Sequence, residues 1–554
     1  MAGFFFNGRY VIEPQIDVVV DIVNSQGTLN GAYTLVLVGS AGDTEPQKLN
    51  WWTDIPTALN ALTSGRLYNA MTFASQPLKN AQIGPAKIAT LRVDEAAQAS
   101  GQVTYNATTS LDLVSTSWGE PGNQTAWSIT SGSTQGYLAQ VKNDVIGKTV
   151  SQDNLYRASL SIATTSAGVT ASVTNTALSV SSGATTIFTV PFAAYSTIQQ
   201  VVNQINQNSG YTASVLTPNS SDPSTSLDLA SSVALTSGGV TLTANVYEVN
   251  QWLNSGVQPW LTSSIPSSGA SGLPTDGNWH YLSGGTVTAP TNTDWQDAFN
   301  VLAQDDTVDF IVTVTSQASI HAMLETHCAS MAEKGLWRWG HAGGELGETA
   351  SQQLTRAQNL NSNFVMLNWP GVQANLLTGA NATYEPFYAA CMTAGARAAQ
   401  QLPANIEGQA LNVTGLETPT GLYIDELLQG GVAVLKQDKT TGTYVDNAIM
   451  TTQNATSEIN RQEVSNMIVG LLVRDAKAQV KAQVKGITTP ALANLAAQVV
   501  QNVAEDYYKA GLLVGQPSGF TGTVAASNAV TINGNVQVGV PLNFVGISFT
   551  ANTL

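Results

Sequence analysis

The chain has 554 residues, 43% of them hydrophobic, and a formal net charge of −16, yet only 10% are Asp, Glu, Lys or Arg. A typical soluble domain has roughly 25% charged residues. The length is too great for one hydrophobic core and predicts about two to four domains. The hydrophobic share excludes wholesale disorder. The acidic balance excludes a binder of nucleic acid or of an anionic membrane surface, both of which need a basic footprint. The shortage of charge has two sources. One is a surface made polar by Ser, Thr, Asn and Gln; the other is surface hidden against further copies of the chain, which needs no charged skin.

Residues 1–25 read as an arm, with a strand over Ile16-Asp17-Val18-Val19-Val20-Asp21-Ile22-Val23 from its β-branched content. Leu35-Val36-Leu37-Val38-Gly39 is a continuous apolar run, the pattern of a strand covered on both faces. Asp54 then caps a helix with Pro56 in its first turn and Ala58, Leu59 and Leu62 on one face. Ile88 to Val93 is the next strand, and strand, helix, strand is an α/β signature. Near residue 96 the composition changes. No charged residue lies between Arg157 and Asp222, and short alternating segments at Leu160–Ile162, Val169–Val173 and Leu178–Val180 predict a β-rich module. One helix, capped by Ser196, carries Ile198, Val201, Val202 and Ile205. The stretch from Ile205-Asn206 through Gly210–Val215 to Leu227-Asp228-Leu229 weakly resembles a module of flagellar hook-type surface proteins.

Alternation of helix and strand resumes near 292. Helices are predicted over Asp294–Leu302, Ser316–Lys334, Thr349–Leu360 and Glu385–Gln401, with strands at Phe310–Val314 and Phe364–Asn368. Val432–Lys436 and Tyr444-Val445 flank a polar turn as a hairpin; two long helices follow, over about 460–485 and 490–513, and the tail from Phe520 is β again. The fold expected is an α/β core, a mixed sheet with flanking helices, split by a large β-rich insertion, with extended β arms at both termini. The corresponding divisions are 1–25, N-terminal arm; 26–95 and 292–519, core; 96–291, insertion on the outer surface; and 520–554, C-terminal arm.

Catalytic and metal templates fail on named residues. His321, His327 and Cys328 share one helix and could form a metal pair or a thiol with its base, but a zinc site needs three or four ligands, so partly buried helix residues are expected. His280 and His341 stand apart from them. No Gly-x-Ser-x-Gly elbow exists. Gly147-Lys148-Thr149 ends like a phosphate loop, but Lys142 stands where glycine is required. Asp305, Asp306 and Asp309 sit at a turn, and Glu505-Asp506 on a wet helix face. Cys328 and Cys391 are too few for a disulfide scaffold and read as buried thiols. The opening MAGFFFNGRY lacks a basic n-region, and Met467–Val473, the longest compact apolar run, is far too short to span a bilayer. Maturation in a cytoplasm is expected, with no catalytic residue, metal or cofactor. One charged feature stands out in this acidic chain: Arg474, Lys477, Lys481 and Lys485 form a stripe on one helix, either a solvated face or a surface for an acidic partner.

Several stretches, in order, resemble the tail sheath proteins of contractile-tailed bacteriophages. They are Tyr10–Pro14, Leu35–Ala41, Ile88–Val93, the turn Trp118-Gly119-Glu120-Pro121-Gly122-Asn123, strand Phe310–Val314, the turn Asn359-Leu360-Asn361-Ser362-Asn363 before Phe364-Val365-Met366, and Gly430-Gly431-Val432 through Lys436, followed by Val445 to Ile449-Met450-Thr451-Thr452. Residues of about 130–290 carry no pattern of that family.

The resemblance implies a non-enzymatic subunit that stacks as hexameric rings around a tail tube, meets baseplate and tail terminator proteins, belongs to the virion tail and is assembled in the host cytoplasm. It implies arms that add strands to a neighbour's sheet, with Ile16, Val18, Val20, Ile22, Ile532, Val536, Val538, Val540, Phe544, Ile547 and Phe549 as the inter-subunit strand residues. The stripe Arg474, Lys477, Lys481 and Lys485 would then face the tube. Contraction would exchange weaker subunit contacts for better ones. The rival reading is a β-rich virion surface protein or adhesin, which fits the Ser/Thr-rich insertion but not the α/β halves. An enzyme of Cys/His type is a more distant rival.

Overall fold

The structure, a computed structural model, describes residues 33–540 apart from 80–83, 86, 217–219, 269–271, 378, 401–402, 404, 422–423, 455–456 and 527–528, together with the backbone of two short paired strands, Phe4–Phe6 and Arg9–Val11. Ile16, Val18, Val20 and Ile22 of the expected N-terminal arm, and Phe544, Ile547 and Phe549 of the C-terminal one, lie outside the described residues.

The core elements, in chain order, are β1 (Thr34–Gly39), β2 (Leu49–Trp52), α1 (Ile55–Leu62), α2 (Gly65–Ser75), β3 (Lys87–Arg92), α3 (Asn292–Leu302), β4 (Phe310–Thr313), α4 (Ala318–Glu333), β5 (Trp339–Gly343), α5 (Ala350–Leu360), β6 (Val365–Trp369), α6 (Pro386–Ala398), β7 (Val432–Asp438), β8 (Gly442–Val445), α7 (Glu463–Gln483) and α8 (Pro490–Lys509). The eight strands form one sheet in the order β8-β7-β6-β5-β4-β1-β3-β2. The inner six run parallel, and β8 and β2 close the two edges antiparallel.

The continuous apolar runs are explained by this burial. Side chains of a strand alternate between faces, and both faces are covered here. Leu35, Leu37, Phe310, Val312, Met366, Ala433 and Leu435 meet α1, α2, α6 and α7 on one face. Val36, Val38, Ile311, Val365, Leu367, Val432 and Val434 meet α3, α4, α5 and Leu427 on the other. Helix α6 is buried at every residue. Gly395 makes that possible, because a Cβ there would lie 2.4 Å from the Ala74 carbonyl oxygen at the end of α2.

Local signals set the helix starts. Asp54 accepts from Thr57 N at 2.9 Å with Pro56 in the first turn. Thr291 with Asp294, and Thr349 with Gln352, form capping boxes at α3 and α5. In the β-rich region the cap of helix Ile198–Asn206 is Thr197, paired with Gln200, and not Ser196 as expected; only Thr197 places its hydroxyl on the third helical N–H.

Residues 95–288 form four further sheets outside the core sheet. Two of them, over 95–155 and 261–288, close on Val103, Leu113, Trp127, Val141, Trp252 and Trp260. The other two, over 158–243, close with helix Ile198–Asn206 on Leu160, Ile162, Val180, Val201 and Ile205. Between Arg157 and Glu248 only Asp222 and Asp228 are charged, and both sit at the junction of the two units. Arg157 pairs with Asp222 at 2.7 Å and with Glu248 at 2.5 Å. Asp228 accepts from Asn245 N and Thr243 Oγ1, each at 2.8 Å.

The helix expected to run to 513 stops at Lys509, because Gly511, at φ +75°, turns the chain. The terminal β region therefore begins at Leu513, ahead of the expected Phe520. Its strands β9 (Leu513–Ala526) and β10 (Ala529–Val538) pair with each other as a two-stranded antiparallel sheet.

Candidate functional site

Three of the motifs that carry the resemblance in the C-terminal half meet in space. Asn361 ends α5 in the left-handed conformation, and its Oδ1 accepts from Gln453 N at 2.8 Å. Ser362 N donates to Thr451 Oγ1 at 3.0 Å, and Thr451 N donates to Val365 O at 3.0 Å. Gly431, at φ +84°, passes so close that a Cβ would stand 3.0 Å from the Thr451 backbone. The Asn-Ser turn, the double glycine and the Thr-Thr pair thus form one joint. The turn at 118–123 is a second joint: Asn123 exchanges two hydrogen bonds with the Gly285 backbone, at 2.8 and 2.9 Å. A side chain at Gly119 would strike Val287.

The histidine and thiol candidates are brought into the interior but not together. His321 Nε2 lies 2.9 Å from Thr315 O, and burial lowers its pKa to about 4. His327 stacks on Phe299 at 5.3 Å and lies 2.9 Å from Arg338 Nη1; burial and that guanidinium lower it to about 3. Burial pushes the Cys328 thiol up to about 12 and raises Cys391 as well, so both are inert thiols at neutral pH. His280 stacks on Trp127 in the β-rich region. Among the described residues no group of three His, Cys, Asp or Glu is placed to hold a metal ion. No helix there is long and apolar enough to cross a membrane.

His341 instead belongs to a cluster that sequence reasoning missed. Glu463, at the start of α7, is fully buried against Arg397 of α6, whose Nε donates to it at 2.8 Å, and His341 Nε2 of β5 lies 3.1 Å from its other oxygen. Burial opposes the Glu463 charge, but Arg397 and His341 overcome that penalty and hold its pKa below the usual carboxylate range. His341 Nδ1 contacts Thr393 Oγ1 at 3.2 Å, which donates to Asn368 at 2.9 Å. Trp339 Nε1 donates to Asn466 at 2.9 Å. The cluster ties α7 to the middle of the sheet.

That tie positions the basic stripe. Arg474 bonds Asp309 at the start of β4, and Lys477 bonds the Lys334 carbonyl at the end of α4. Lys481 and Lys485 are exposed. Beyond them, Ile487 in the link to α8 is 86% exposed. Tyr507 of α8 donates to Asp475 at 2.6 Å, clasping the two helices.

The C-terminal pair lies on these helices. Leu513 packs on Val464 and Ile468. Ser465 Oγ donates to Gly539 O at 2.7 Å, and Gly522 passes so close to Ala493 O that no side chain would fit. Of the expected arm residues, Ile532 and Val538 are half-buried, whereas Val536 and Val540 are exposed. Each strand of this two-stranded sheet has one side without a paired strand among the described residues.

No protein-family profile matches the chain. In sequence it is similar to the tail sheath protein of Bacillus phage SP01, at 24% identity over 463 residues, 79% of this chain and 77% of that one. In fold it is similar to the sheath tail protein of Desulfitobacterium hafniense, with TM-score 0.54 at 12% identity over 94% of this chain and 96% of that one. It is similar also to the sheath tail protein of Listeria innocua, with TM-score 0.54 at 10% identity over 92% of each chain.

Proposed function

We propose that this chain is the structural subunit of a contractile phage tail sheath. It polymerises as stacked hexameric rings around the tail tube and shortens to drive the tube through the host envelope. Its partners are further copies of itself, the tube protein, and the baseplate and terminator proteins at the two ends of the tail.

One observation carries the reading beyond the similarities: a finished core bears an unfinished sheet. A two-stranded sheet is marginal alone, and its outer strand sides offer a row of N–H and C=O groups. Strands from the N- and C-terminal arms of other copies can complete it by β-augmentation. At about 0.5–1.5 kcal/mol net per hydrogen bond, several bonds per arm keep the lattice connected while the cores rotate.

The basic stripe has a divided role in this account. Arg474 and Lys477 fix α7 to the core, and Lys481 and Lys485 face an acidic surface of the tube, holding the extended state by salt-sensitive contacts. Deleting the residues after Phe520 tests the arm mechanism. Folded monomers that do not polymerise are expected; ordinary cylinders from the shortened chain would refute it.

A further inference from the structure

The start of the core sheet and the C-terminal helices meet on one carboxylate. Thr34 opens β1, so the residues before it join the core there. Its N–H donates to Asp309 Oδ2 at 2.8 Å; its hydroxyl accepts from Asp309 N at 3.0 Å and donates to the Thr307 carbonyl oxygen. Tyr33, next to it, is buried and packs edge-on against Phe310 with ring centroids 5.9 Å apart. The other oxygen of Asp309, Oδ1, accepts from Arg474 Nη1 of α7. Asp309 is 4% exposed, so little water is at hand to replace either donor.

From Arg474 the contacts run on to the C-terminal strands. Asp475, the next residue, accepts from the Tyr507 hydroxyl of α8 at 2.6 Å. The Tyr507 ring packs on the core cluster that holds Tyr33 and Leu471, and also on Val464, Ile468 and Leu513. Leu513 is the first residue of β9.

A carboxylate shared in this way couples its donors. Without the guanidinium, Asp309 is buried and has lost its cation. It then turns to water or takes up a proton, and its bond to the Thr34 N–H weakens. The coupling is reciprocal, because it has the same value read from either side. We propose that Asp309 joins the roots of the N- and C-terminal arms, so that load on one arm is passed to the other within a subunit. The inference rests on the arm mechanism above and adds the route inside the chain.

Hydrogen exchange of the full chain, read on short peptides by mass spectrometry, tests it. Arg474→Met removes no group bonded to Thr34, yet should speed exchange at 33–36 roughly tenfold, equivalent to about 1.4 kcal/mol. Thr34→Val, read in the opposite direction, should speed exchange over 474–478 and at the start of β9 by about threefold. It keeps the test decisive should Arg474→Met lose its native circular dichroism. Lys477→Met frees α7 from the Lys334 carbonyl without touching Asp309, and should leave exchange at 33–36 as in the parent. Unchanged exchange at 33–36 in Arg474→Met, or over 474–478 and β9 in Thr34→Val, would overturn the proposal. So would equal acceleration at 33–36 in Lys477→Met, which would mean that α7 loosens as a whole. Coupled exchange in a chain that forms no cylinders would uphold Asp309 as the joint and contradict the sheath reading; cylinders without coupled exchange would do the reverse.

Discussion

The core sheet and the C-terminal strand pair are both β structure in one chain, yet they are built to opposite specifications. The core sheet is covered on both faces by helices, and its antiparallel edge strands β8 and β2 have four residues each. Short edges leave little to pair with. The terminal strands have 14 and 10 residues, and Val514, Val524 and Val536 are exposed along them. The difference separates two tasks. Stability resides where burial is complete within one chain; under the proposed function, assembly resides where it is not.

The strongest way to break that division is at the buried cluster of the core. Glu463→Ala removes the carboxylate that Arg397 and His341 face, and should cost about 3–5 kcal/mol, seen as a large drop in the urea midpoint. An unchanged midpoint would mean that the cluster does not anchor α7. Gly395→Ala drives a methyl group into the Ala74 carbonyl and should cost about 1–3 kcal/mol by the same measurement. Acid should act on the core through His321 and His327. Their folded pKa values, about 4 and about 3, lie below the unfolded value, so the unfolded chain takes up protons that the folded chain refuses. Stability should therefore fall as pH drops from about 6.5 towards 4, by up to about 1.4 kcal/mol per pH unit for each histidine. A flat midpoint over that window would contradict the burial of both rings.

The smallest effects on stability should come from the proposed assembly surfaces. Lys481→Glu with Lys485→Glu should move the midpoint by no more than about 0.5 kcal/mol, while sedimentation shows the sheath no longer retained on tubes at low salt. Retention equal to that of the parent would remove the stripe from the tube contact.

The same contrast explains what could be read from the sequence. Strands β1, β4, β6 and β7 were legible because two-sided burial writes an uninterrupted apolar run. Helices α3 and α5 were placed to within two residues, and the structure adds the capping boxes at their starts. Strand β2 was illegible, because Leu49–Trp52 is half-buried and carries no alternation. Helix α2 begins at Gly65 with no side-chain cap, and its burial depends on α6, far away in the chain. The cluster of His341, Arg397 and Glu463 could not be seen at all, since only the fold brings those positions together. The true end of α8 had a signal in Gly511. The stripe read as one feature because its spacing is helical, but α4 and β4 engage Arg474 and Lys477 and leave Lys481 and Lys485 exposed.

The central claim is that this finished core with an unfinished sheet exists to polymerise. Negative-stain microscopy of the purified full chain tests it most directly. Long striated cylinders are predicted, and compact separate particles at every concentration and salt would contradict it.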